Sequence, residues 1–188
     1  RSDTMRTSIA AAIVALALSA GTAAEAPVSL AGTVRVGGQA VANAVVWLEG
    51  ARANARRSRA VLHQRSLKFA PHVLAVSTGT AVDFPNEDRV FHNVFSFRDG
   101  KKFDLGIYPV GATKQVTFSE AGVSRLFCNI HPNMAGYVVV VDSAWFATSD
   151  ASGAIHITDV DPGYYRWRAW RPAAPVLDGQ VTVRAGTV

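Results

Sequence analysis

The segment Leu126-Phe127-Cys128-Asn129-Ile130-His131-Pro132-Asn133-Met134 sets a thiol, an imidazole and a thioether within seven residues, as Cys-x-x-His-x-x-Met. A second imidazole, His92, stands 36 residues upstream of Cys128 in Val90-Phe91-His92-Asn93-Val94. Two His and one Cys, with a weakly held axial Met, form a donor set for copper that moves one electron at a time. Soft thiolate and thioether favour Cu(I), while imidazole suits both oxidation states. A geometry between the two preferences lets the charge change with little rearrangement. Zinc is the competing metal, but it prefers Cys, His and carboxylate to Met.

Composition sharpens the pattern. Cys128 is the only cysteine, and Met134 is one of two methionines, the other being Met5 near the start. A single cysteine closes no internal disulfide, so it is an inert buried thiol, an intermolecular bridge or a ligand. Taken singly, each residue favours the bland reading, since a lone Cys is often a small buried hydrophobe. Their conjunction in one loop favours a metal. Pro132 is expected to stiffen the loop after His131, and Asn93 to tie the two ligand-bearing segments together by hydrogen bonds that orient the ligands.

The elements that must position these residues read as strands. Short β-rich runs recur between Gly, Pro, Asn and Asp turns, which is the pattern of a sandwich or barrel. Strands are expected over Val28 to Val36, Ala44 to Leu48, Val73 to Val76 paired with Ala81 to Phe84 around Thr78-Gly79, and Asn93 to Phe97. Further strands are expected over Lys114 to Phe118, Ser124 to Phe127, Tyr137 to Val141, Ala154 to Thr158, Tyr164 to Ala169 and Gln180 to Arg184. Tyr137 to Val141 is apolar throughout, as a strand buried on both faces should be. Residues 51–65, with five arginines and few β formers, read as a basic connection or a short helix.

The start reads as a secretory signal peptide over residues 1–24: Met5-Arg6, an apolar run from Ile9 to Ala20, then small residues. The run is too short for a confident membrane span. Periplasmic export is therefore expected, with no membrane span after cleavage. Removing 1–24 takes the net charge from +5 to +4, seventeen Lys and Arg against thirteen Asp and Glu. No basic tract interleaved with aromatics is present, so nucleic acid is not expected as a partner. His63, His72 and His156 are scattered and read as structural. Tyr164, Tyr165, Trp167 and Trp170, alternating with Arg166, Arg168 and Arg171, read as packing aromatics with solvated arginines. No acid–base pair, nucleophile motif or phosphate loop is found, so no catalytic residue is assigned and no enzyme activity is expected.

From about Ser66 to Asp142 the chain resembles the cupredoxin family. Ser66 to Pro71, Gly79 to Asn86 and Phe91 to Val94 are similar to the plastocyanin pattern around the first histidine ligand. Gly111 to Phe118 is similar to its later turn and strand. The ligand loop, with Pro after the His, is most like that of amicyanin. The resemblance implies an all-β, eight-stranded Greek-key sandwich, one type 1 (blue) copper and outer-sphere electron transfer. It implies that His131 is the surface-facing ligand. The alternative is a copper-binding or delivery module with no carrier role. The partner is expected to be a redox protein, a cytochrome or a dehydrogenase.

The flanks resemble carboxypeptidase-regulatory-like (prealbumin-like) β-sandwiches, on Ala31 to Val34, Gly38 to Leu48, Thr148 to Ile155 and Asp159 to Tyr165. The expected organisation is a signal peptide over 1–24, prealbumin-like segments over 27–50 and 144–188, a basic connection over 51–65 and a cupredoxin domain over 66–143. The cupredoxin is thus inserted in or fused to a second small sandwich, with its first strand expected at Val45 to Leu48. The arrangement is similar to bacterial methylamine-utilisation or plastocyanin-like proteins, a label that is no evidence of a methylamine role.

Overall fold

The computed structural model describes residues 27–50 and 58–184. The expected signal peptide, and residues 51–57 of the expected connection, lie outside them. Strands and turns, without a helix, make up the described residues. The strands are β1 (Val28–Thr33), β2 (Arg35–Val36), β3 (Gln39–Ala40), β4 (Val45–Leu48), β5 (Arg59–Val61), β6 (His63–Arg65), β7 (Lys68–Ala70), β8 (Val73–Ser77) and β9 (Thr80–Pro85). They continue as β10 (His92–Ser96), β11 (Phe103–Tyr108), β12 (Thr113–Phe118), β13 (Gly122–Phe127), β14 (Ala135–Val141), β15 (Phe146–Thr148), β16 (Ala154–Val160), β17 (Gly163–Trp170) and β18 (Leu177–Val183).

Eight of these build a central sandwich. A five-stranded sheet of order β11-β10-β13-β14-β8 faces a three-stranded sheet of order β12-β9-β5. Period-two alternation drives the packing. In β12, Val116 and Phe118 are buried while Gln115 and Thr117 face solvent. Phe84, Val94, Phe118, Leu126 and Val138 meet them in one core.

Three expectations are corrected. The region 51–65 is not simply a connection: Arg59–Val61 (β5) pairs in parallel with β9, and His63–Arg65 (β6) forms a hairpin with β7. The first strand of this sandwich is therefore β5, not Val45 to Leu48. The charge run hid a period of two, because Leu62 and Gln64 are fully buried while Arg59 and Arg65 point out to Asp83 and Glu87. Lastly, β8 and β9 do not pair around Thr78-Gly79. They belong to opposite sheets, with β8 beside β14 and β9 beside β12, so that turn crosses the sandwich.

The hairpin turn Ser66-Leu67 has both residues in the left-handed region, φ 54° and 57°. Two-residue hairpin turns of type I′ require this and favour Asn-Gly. Here the Asp88 carboxylate accepts from both turn amides, Ser66 N at 2.6 Å and Leu67 N at 2.9 Å. That supplies locally what the turn residues lack.

The segments before and after this sandwich pair with each other. β4 lies between β15 and β17 in a sheet of order β15-β4-β17-β18, and β1 pairs with β16. Leu48, Ile157, Val160 and Val183 form their shared core. Trp145 packs edge-on against Tyr165, and Trp170 against Tyr137. The alternating arginines of β17 bind carboxylates, Arg166 to Asp178 and Arg168 to Glu49.

β14 joins the two cores. Val138 and Val140 point into the core of the central sandwich, and Val139 and Val141 pack with Val45 and Val73 against the flanking sheet. The uninterrupted apolar run is thereby explained. Val139→Ala is expected to cost about 2 kcal/mol, as removal of buried methyl groups into a packed interface does. Urea unfolding of the whole chain measures it.

Candidate metal centre

Strand pairing brings the ligand segments together. β13 and β14 pair antiparallel up to Phe127 and Ala135, so residues 128–134 close the end of that hairpin. β10 lies on the other side of β13, with Phe95 opposite Phe127. His92, the first residue of β10, therefore sits beside Cys128 despite the sequence separation.

His92, Cys128 and His131 form a group of potential metal ligands. The two imidazole Nδ1 atoms are 3.1 Å apart, and the Cys128 sulfur is 3.9 Å from His92 Nδ1 and 3.6 Å from His131 Nδ1. A point equidistant from these atoms lies about 2.1 Å from each, which is a metal–imidazole bond length and close to a metal–thiolate one. The donor set thus fits a type 1 copper centre. Met134 is also buried, its side chain in the same core cluster as Cys128.

His131 to Met134 form a turn in which the Met134 amide donates to the His131 carbonyl at 2.9 Å. Pro132 occupies its second position, where a φ fixed near −65° is what the turn needs. The turn leaves His131 half-buried, Pro132 exposed and Met134 buried. Asn93 is buried, and its Oδ1 accepts from the Asn129 amide at 3.1 Å, next to Cys128. Its Nδ2 donates to Asp104 at 2.7 Å. One side chain thus bonds β10 to the ligand loop and to the β10–β11 bulge.

Sequence reasoning missed Asp88. Its Oδ2 accepts from His92 Nε2 at 2.8 Å. A proton held there leaves Nδ1 as a lone pair aimed at Cys128 and His131, so the carboxylate sets tautomer and ring orientation. Burial opposes the Asp88 carboxylate, but the Leu67 amide, the His92 imidazole and the Ser66 amide outweigh it and hold its pKa below the usual value. The available signal was an acidic pair, Glu87-Asp88, in a loop ending on a candidate ligand. Asn86, also missed and buried, shapes this loop: its Nδ2 donates to the carbonyls of Val90 and Tyr108, and its Oδ1 accepts from Asp88 N.

Tyr108 pairs with His92 across β10 and β11. Its hydroxyl donates to the Phe84 carbonyl and accepts from Gln64, and burial pushes its pKa up. The other histidines stand apart from the ligand group. His63 binds Glu87, His72 lies edge-on to Tyr137, and His156 is in β16 of the flanking sheets.

Asp88→Asn is expected to weaken copper affinity by about ten- to a hundredfold, the usual cost of losing an outer-shell ligand partner; competition titration checks it. Because the folded-state pKa of Asp88 is depressed, its stabilising contribution is present above the ordinary value of 3.8 and is lost as pH falls through the folded value. Comparing acid unfolding of the parent with Asp88→Asn should show a smaller loss of stability below about pH 4 in the variant.

A sequence model described as copper binding proteins of the plastocyanin/azurin family matches residues 57–141. A comparison with curated proteins gives no match. Solved structures that resemble the chain include the novel purple cupredoxin from Nitrosopumilus maritimus, 26% identical with TM-score 0.40, covering 45% of this chain and 99% of that one. Amicyanin is 23% identical with TM-score 0.42, covering 51% and 98%. The copper-containing nitrite reductase from Thermus scotoductus is 23% identical with TM-score 0.43, covering 58% and 25%. The donor triangle thus lies within the residues that match the plastocyanin/azurin family of copper-binding proteins.

Proposed function

We propose that the protein is an exported electron carrier, with one type 1 copper held by His92, Cys128, His131 and Met134. The observation that carries this reading is the graded exposure of the ligands. His92 is fully buried, Cys128 nearly so, and His131 reaches the surface. Bound there, copper supplies a one-electron couple. The chain keeps water from Cys128 and Met134, aims both Nδ1 atoms at one point and offers the His131 edge to a partner. β10, β13 and their Asn93 link fix the donors, so little moves when the charge changes.

The carrier reading is supported by the ligands themselves, a His, His and Cys group whose donor atoms converge on one point. Export to the periplasm rests on the pattern of residues 5–24 alone. The partner is a redox protein, a cytochrome or a dehydrogenase. The mutual pairing of β4 with β15 and β17, and of β1 with β16, supports reading the flanks as a separate prealbumin-like module.

The Cu(II)-loaded protein is expected to show an intense thiolate-to-copper band near roughly 600 nm and a reversible one-electron couple. Cys128→Ser should abolish the band and leave the β-sheet circular dichroism unchanged. A Cu(II)-loaded parent without the band would reject the type 1 site. Copper lost to an acceptor protein faster than electrons are exchanged would favour the delivery reading instead.

A further inference from the structure

The outer face of the five-stranded sheet is only partly covered by the flanking sheet. The flanking sheet packs on β8 and β14 through Val73, Val139, Val141 and Tyr137, and reaches the start of β13 at Val123. On the β10–β13 side, Phe95, Phe97 and Phe127 contact one another with ring centroids 5.3–5.8 Å apart, and Phe97 is 50% exposed. The Arg98 guanidinium lies 5.7 Å from the Phe97 ring, and that of Arg125 lies 4.9 Å from the Phe127 ring. Among the described residues neither guanidinium has a carboxylate partner, whereas Arg59, Arg65, Arg166 and Arg168 all do.

We propose that this open part of the sheet, Phe95, Phe97 and Phe127 beneath Arg98 and Arg125, is a docking surface for an acidic redox protein. The inference rests on the electron-carrier reading and adds a partner chemistry and a place to it. Aromatic and arginine side chains are the residues that dominate binding at protein interfaces. Cations without internal partners, with Lys101 and Lys102 exposed on the same loop, complement carboxylates.

The surface is also preorganised. The loop joining β10 to β11 is pinned on β13, where Lys101 N donates to Ser124 Oγ at 2.9 Å and that hydroxyl donates to the Lys101 carbonyl at 3.2 Å. Gly100, at φ 56°, lies so close that a Cβ there would come within 2.8 Å of the Val123 carbonyl. The loop backbone therefore has less order left to gain on binding. Phe127 precedes Cys128 in the chain, so a partner seated here rests on the strand that ends at the thiolate.

The test is a titration of the 15N-labelled Cu(I) protein with an acidic c-type cytochrome at low ionic strength, with a basic c-type cytochrome in parallel. Amide shifts at Phe97, Arg98, Arg125 and Phe127 are expected with the acidic cytochrome, fading as salt rises. The double variant Phe97→Ser, Arg98→Glu is expected to bind about tenfold more weakly with its visible band unaltered. Shifts confined to residues 128–134, equal binding of the basic cytochrome, or undiminished binding by the double variant would overturn the docking surface. A parent lacking the band or the couple overturns the carrier reading. A normal band and couple with no shift at these residues overturns the docking surface alone.

Discussion

Two imidazole nitrogens 3.1 Å apart, with a sulfur within 3.9 Å of both, do not hold one another in place. Their lone pairs point toward a common centre, and the burial of His92 and Cys128 forfeits hydration. The surrounding chain imposes this convergence. The β10–β13 pairing sets the two ligand segments side by side, and Asn93 bonds across to Asn129 at the point where pairing stops. Asp88 takes the remaining nitrogen of His92. The same carboxylate caps the Ser66-Leu67 turn, so the β6–β7 hairpin and the first ligand share one acceptor. A centre built this way is shaped by covalent and hydrogen-bonded geometry before any metal arrives.

The sequence made legible whatever obeys a strict period or a rare residue type. The Cys128–Met134 loop stands out because its residue types are scarce and closely spaced. β12 and β14 stand out through alternation and through an unbroken apolar run. The β5 to β7 region was hidden because its inward positions include Gln64, a polar residue that hydrogen-bonds Tyr108 in the core, while its outward positions are arginines. Its turn was hidden because Asp88, twenty-one residues beyond Leu67, does what Asn-Gly does elsewhere. β11 was missed because Gly106, at φ 62°, and a shift in register interrupt its pattern. Asp88 is hard to read because part of its role, capping the Ser66-Leu67 turn, depends on a hairpin with no turn signal in its own residues.

Pairing is harder to read than strand existence. Val73 to Val76 and Ala81 to Phe84 were both legible as strands, yet the turn between them carries the chain from one sheet to the other. Hairpin and crossing turn share the same local residues, here Thr78 and Gly79. Only the demand that Val76 and Phe84 enter one core from opposite sides decides between them.

The flanking sheet answers a need set by β14. Val139 and Val141, with Val73 on β8, would present an apolar stripe to water on a lone cupredoxin sandwich. Covering them contributes roughly 1.5–3 kcal/mol for each side chain removed from water. It also makes the ligand loop asymmetric. The stem that follows Met134 is held between two cores, with Tyr137 packed against Trp170 at 5.3 Å. The stem that precedes Cys128 ends on Phe127, whose outer face carries no such cover. The thioether side of the loop is thereby anchored by the flanking sheet, and the thiolate side ends beside the Phe95, Phe97 and Phe127 cluster.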